Sequence, residues 1–124
     1  MAAKFRRRHE LQGRRAELTR LGHIVTSRWI DQKEDTENAD TAAIDLADIE
    51  AADCLLSFSE VPRTEGRGGR HCELGIAIGM NKGVIVIGHR EHIFAHLPEV
   101  LHFEYWMDFM ATMQQPSLRQ TWAP

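Results

Sequence analysis

The chain has 124 residues, with 15 Lys and Arg against 18 Asp and Glu, a formal net charge of −3. That length holds one domain with one core, and the slight negative balance gives no general pull toward nucleic acid or an anionic membrane. Cys54 and Cys72 have neither metal spacing nor a disulfide partner pattern, and no apolar run approaches membrane-spanning length.

Residues 4–21 carry seven Lys and Arg around Leu11, Leu18 and Leu21, a basic helix with a narrow apolar stripe that Gly22 ends. No apolar h-region precedes it, so it is not a signal peptide. His23 to Ile30 is rich in β-branched residues and predicts a strand. An acidic loop from Asp31 to Asp40 leads into an amphipathic helix over Thr41 to Ala52, with Ala42, Leu46 and Ile49 at helical spacing. Cys54 to Ser59 predicts a short buried strand, and Glu60 to Arg67 a loop. The stretch Arg67-Gly68-Gly69-Arg70-His71-Cys72-Glu73-Leu74-Gly75 then opens a helix that is apolar nearly all round. It is expected to be buried, with Gly75 and Gly79 letting its backbone lie close to the sheet. Both cysteines are expected as buried reduced thiols. A turn at Asn81-Lys82-Gly83 leads to a buried strand over Val84 to Gly88. A helical turn at Ile93–Ala95, an edge strand within Val100–Trp106 and a helix over Met107–Gln115 come next, with a break at Pro116 and a loose tail. Alternating helix and strand argues a parallel sheet covered on both faces. Such a domain normally begins with a strand, and here Met1 to Phe5 is too short and polar for a full central one.

The loop at Gly66–Gly69 is neither a P-loop nor a dinucleotide fingerprint. His89, His92 and His96 lack an acidic ligand at zincin spacing and read as surface histidines. Ser57 and Ser59 lack the Gly-x-Ser-x-Gly elbow around a nucleophile. Trp29, Phe103, Tyr105 and Trp106 read as core or interface. Glu73 stands out. Its ordinary explanation is an acidic side chain at the positive end of a helix. The capping-box form of that explanation fails, because Arg70 stands three residues before it. The other explanation is an ionised carboxylate beside backbone amides and arginines, able to serve as nucleophile or sugar-binding group. Among Asp45, Asp48 and Asp53, Asp48 reads as solvated and Asp53 as a junction residue. Asp45 faces the ligand end of the sheet if its helix begins near it.

The segments Asp45–Asp53, Gly68–Ala77 and Lys82–Gly88 together resemble the nucleoside 2-deoxyribosyltransferase-like family. Gly22–Trp29, Ile93-Phe94, Leu97-Pro98 and Phe103-x-x-Trp106 are similar too, so the likeness covers most of residues 2–110. Its most specific part is the Asp-x7-Ala-Asp helix joined to Gly-Gly-Arg-His-x-Glu-Leu-Gly. The resemblance implies a flavodoxin-like, three-layer α/β domain over residues 1–124, with a mostly parallel sheet and a missing or truncated first strand. It implies cleavage of the N-glycosidic bond of a 2′-deoxynucleoside or its 5′-monophosphate, with the sugar passed to a base or to water. By position, Glu73 matches the family's nucleophile and Asp45 its second acid, which serves proton transfer and sugar positioning. Gly68, Gly69 and Arg70 would line the pocket, and Arg70, Arg67 and Arg6 suit a 5′-phosphate. Neither metal nor cofactor is implied, and relatives assemble as dimers or larger, for which the run 103–113 is a suitable interface.

Two departures stand beside the likeness. The family opens with an apolar strand ending in an aromatic residue, often Tyr, that hydrogen-bonds the nucleophile, and Ala2–Arg6 resembles only the segment just after that strand. His92 stands where relatives often carry Asn. The expectation is therefore a cytoplasmic N-deoxyribosyl transferase or deoxynucleotide N-hydrolase. The alternative is a nucleotide-sensing module without turnover, and a nucleic-acid binder built on the basic helix ranks last because no aromatic platform accompanies it.

Overall fold

In a computed structural model of the protein, residues 1–115 are described. Their helices are α1 (Arg8–Arg20), α2 (Ala39–Ala51), α3 (Gly69–Gly79) and α4 (Trp106–Met113); the strands are β1 (Cys54–Phe58), β2 (Gly83–Ile87) and β3 (Val100–Phe103). The strands form one all-parallel sheet in the order β1-β2-β3, with Leu55 opposite Val84 and Ile85 opposite Leu101. Short 3-10 turns lie at Phe5–Arg7, Trp29–Asp31 and Ile93–His96. The break at Pro116 and the tail beyond it lie outside the described residues.

Alternation along the strands divides the core in two. Leu56, Phe58, Ile85 and Ile87 pack with Leu11 and Leu18 of α1 and with Trp106, Phe109 and Met113 of α4. Leu55, Val84 and Val86 point the other way, onto Ile49 of α2 and Leu74 and Ala77 of α3. The result is the expected α/β arrangement, a parallel sheet between two helical layers, in the manner of a flavodoxin-like fold short of one strand. Among the described residues, the first-strand position holds one parallel bridge, Ala2 opposite Ser57.

Local chemistry explains most boundaries. α1 stops in a Schellman motif, with Gly22 at φ +91°, Gly22 N–H donating to the Thr19 carbonyl and His23 N–H to that of Leu18. α2 starts in a capping box: Asn38 accepts from the Thr41 amide at 2.9 Å, and the Thr41 hydroxyl accepts from the Asn38 amide at 3.1 Å. Its apolar side is only partly covered, since Ile49 is buried while Leu46 stays 39% exposed.

Three expectations are corrected. His23–Arg28 forms no strand, and the residues run irregularly into the turn at Trp29. β propensity needs a neighbouring edge to pair with, and among the described residues the outer edge of β1 carries only the bridge to Ala2. The helix after the glycine loop is not buried all round: Cys72, Gly75 and Gly79 are exposed, and a Cβ at either glycine would meet nothing within 4 Å. The two glycines therefore face solvent rather than the sheet, and Cys72 is an exposed thiol. Asp48, expected in solvent, is buried and accepts the backbone N–H and Nε of Arg28, each at 2.8 Å.

Candidate active site

The site forms where α2, α3 and the first residues of the chain converge at one end of β1. Gly68 takes φ +87° at the N-cap of α3, a conformation that disfavours any side chain. Neither Gly68 nor Gly69 has an atom within 4 Å of where a Cβ would stand. They leave an open floor to a cleft of about 590 Å³, whose walls include Phe5, Trp29, Asp45 and Glu73.

Because α3 begins at Gly69, Glu73 lies beyond the first turn, and the helix dipole does little for it. Nor is it held ionised. Burial raises its pKa to about 7, and the carboxylates of Asp45 and Asp48 push the same way while the Met1 amino group opposes them. Among the described residues no donor hydrogen-bonds it. At neutral pH it is divided between acid and carboxylate.

Asp45 sits on the α2 face that turns toward the same cleft. Its pKa is also raised, first by burial and then by Asp48, against the opposing charge of Arg28. One of its oxygens, Oδ1, is buried without a hydrogen-bond partner among the described residues. A buried acceptor of this kind, at the wall of a cleft, can accept a hydrogen bond from a molecule bound there. Deeper in, Met1 is held by Ser27 Oγ, 2.5 Å from its amino group, and by Trp29 Nε1, 2.8 Å from its carbonyl. Cys54 and Glu73 both line this inner recess, and burial pushes the Cys54 thiol up to about 12, so it stays protonated.

The arginines divide. Arg70 lines the cleft but is buried, and its two Nη atoms donate to Glu91 at 3.1 and 2.8 Å. Its Nη1 also meets His71 Nε2 at 2.9 Å. Burial, then the Arg70 charge, lowers the His71 pKa, so the neutral ring can accept from the guanidinium. Arg67 is tied to Asp35 at 2.8 Å and Glu37 at 2.7 Å, and exposed Arg6 to Glu60 at 3.0 Å. Arg8, which sequence reasoning did not single out, also lines the cleft, its guanidinium 4.4 Å from the Phe5 ring centroid. No carboxylate pairs with it among the described residues. Glu91 was equally hidden: it lies 21 residues from Arg70, and no spacing in the sequence ties the two. It also accepts the Glu60 amide at 2.8 Å, which fastens the loop before α3 to the one after β2.

The structure thus brings Glu73, Asp45, Gly68, Gly69, Arg70, Arg67 and Arg6 around one cleft, while binding the three arginines to acidic partners. Among the described residues no group of three or more His, Cys, Asp or Glu is arranged to hold a metal ion, and no helix is long and apolar enough to cross a membrane. Comparisons with protein-family models, with curated proteins and with solved structures give no match to this chain.

Proposed function

We propose that the cleft binds a small 2′-deoxynucleoside or its 5′-monophosphate and cleaves the N-glycosidic bond. The observation that carries this reading is the pair Glu73 and Asp45. They come from different helices, line one cleft, are both shifted toward the protonated form, and leave Asp45 Oδ1 without a partner. Two carboxyl groups of this kind can divide the roles of nucleophile and proton donor.

In its ionised form Glu73 attacks C1′ of the sugar as the bond to the base nitrogen breaks. The bonding electrons leave with the base, which takes a proton from Asp45. Asp45, now a carboxylate, removes a proton from water or from an incoming base nitrogen. That nucleophile displaces Glu73 from C1′ and restores both groups. Gly68 and Gly69 lack side chains where the ring must approach, and Phe5 and Trp29 offer flat walls. A 5′-phosphate would find its donor in Arg8, with Arg6 and Arg67 yielding their acidic partners at a cost. Arg70 serves as a strut that holds the loop through Glu91.

Chromatography of free base released from a panel of deoxynucleosides and their 5′-monophosphates tests the reading. Base release supports it, and its absence from the whole panel overturns it. A second reading, a nucleotide-sensing pocket without turnover, draws on the thin wall beside β1, where one residue, Ala2, stands in for a strand. Ligand-dependent melting with no base released would favour it. Assembly into dimers is part of the same proposal: Tyr105 and Met107 are 62% and 80% exposed, while Trp106, Phe109 and Met113 of the same run face the core.

A further inference from the structure

Asp48 has no part in the reaction above, yet it stands beside both groups that do. It follows Asp45 by three residues on α2, a spacing that puts the two on one helix face. Glu73 reaches them from α3, whose Leu74 lies in one core cluster with Ile49 of α2. All three acids line the inner recess behind the cleft, whose volume is only about 10 Å³, room for about one water molecule. So little water does not screen three carboxyl groups from one another.

Among the described residues, an arginine pairs with just one of the three. Asp48 is buried and accepts the backbone N–H and Nε of Arg28, each at 2.8 Å. Thr26 Oγ1 donates to the Asp48 carbonyl at 2.8 Å, which holds the same segment against α2. A guanidinium and an amide aimed at a carboxyl group favour its anion. Asp45 Oδ1 has no such partner among the described residues. The other ionisable groups lining the recess are the Met1 amino group, bound to Ser27 Oγ, the Cys54 thiol of β1, and Lys82, whose Nζ donates to the Glu50 carbonyl at 2.9 Å. The recess therefore holds one fixed anion, and each further negative charge would be added against it.

We propose that Asp48 is a positioning residue of this site: its buried charge, locked by Arg28, obliges Asp45 and Glu73 to keep hold of a proton between them. A proton retained there at neutral pH is the one the departing base takes up. Asp48 thus acts through its two neighbours and touches no substrate. Both neighbours do bind protons more tightly than usual, through burial first, with the Asp48 charge adding to it. That this arrangement serves catalysis rests on the function proposed above; that it governs the ionisation of Glu73 does not.

The test is a carboxyl-carbon NMR titration of the substrate-free protein, labelled at Asp and Glu, with the Glu73 signal assigned by its loss in Glu73→Gln. Asp48→Asn removes the charge and keeps an oxygen for the Arg28 amide. It is expected to lower the Glu73 midpoint by about one pH unit. Glu50→Gln, the same charge change at an exposed position of α2, is expected to leave the midpoint in place. Arg28→Ala withdraws the cation and keeps Asp48, so it is expected to raise the midpoint. An unchanged midpoint in Asp48→Asn would overturn the proposal. So would a fall in Arg28→Ala, which would mean that loosening the recess, rather than the Asp48 charge, sets the midpoint. Where base is released, the rising limb of kcat/KM should move with the midpoint in Asp48→Asn. A shifted midpoint with no base released would uphold the role of Asp48 in the recess and overturn the reaction alone.

Discussion

Asp45 of α2 and Glu73 of α3 share one cleft, and the charge of Asp45 reinforces burial in keeping a proton on Glu73. A nucleophile so placed works only when that proton is gone. Because the departing base also needs the proton of Asp45, kcat/KM is expected to pass through a maximum, rising with pH as Glu73 ionises near pH 7 and falling once Asp45 has lost its proton. Initial rates from about pH 5 to about pH 9 check this. A profile already flat below pH 6 would show that Glu73 is not the group that must ionise.

The same group marks the stability curve. Glu73 binds its proton more tightly in the folded chain than in the unfolded one, so its contribution is greatest below about pH 4.5 and falls as pH rises toward 7. Glu73→Gln cannot ionise, so it is expected to flatten that fall and to be the more stable protein near pH 8. Urea unfolding at three pH values across this window reads it directly, and parallel curves for the two proteins would contradict it.

Arg70 and Glu91, each 7% exposed at the side chain, form a buried ion pair between α3 and the loop after β2. Removing one member leaves the other charged and unpaired. Arg70→Ala is expected to cost about 3–5 kcal/mol. Arg70→Met combined with Glu91→Leu should cost much less. Equal losses in the single and double variants, measured by urea denaturation, would mean that the pair acts through packing alone.

At the cleft rim, Arg8 has an aromatic neighbour and no acidic partner among the described residues. Arg8→Ala is expected to raise KM about tenfold or more for 5′-monophosphates, the worth of a charge-assisted hydrogen bond, and to leave free nucleosides within about twofold. The same loss on both substrate classes would assign Arg8 to the fold.

Asn38 closes the capping box of α2, the helix that carries Asp45. Asn38→Ala is expected to destabilise the protein by about 1 kcal/mol, with base release kept once folded. Thermal melting and a rate at low temperature check both halves.

Local patterns carried much of this architecture into the sequence. The apolar runs at Leu55–Phe58 and Val84–Ile87 mark parallel strands buried on both faces, and Gly22 marks a helix end through its backbone alone. What depended on distant neighbours was hidden. His23–Ser27 has the composition of a strand, but among the described residues it has no strand to pair with, because Ala2 makes the one bridge on that edge of β1. Gly75 and Gly79 suggest close packing, yet which helix face meets the sheet was decided by Leu74 and Ala77. At the site, the glycine floor and Glu73 were visible as a motif. The raised proton affinity of Glu73 and the capture of Arg70 by Glu91 arise from groups brought near by folding.

The most direct measurement is base release by wild type and Glu73→Gln under identical conditions, with intact-protein mass spectrometry of the substrate-quenched wild type. The expected result is loss of turnover by a factor on the order of 10³ or more in the variant, with a deoxyribosyl adduct on wild type that maps to Glu73. Turnover retained by Glu73→Gln, or an adduct on any other residue, would contradict the role given to this carboxyl group.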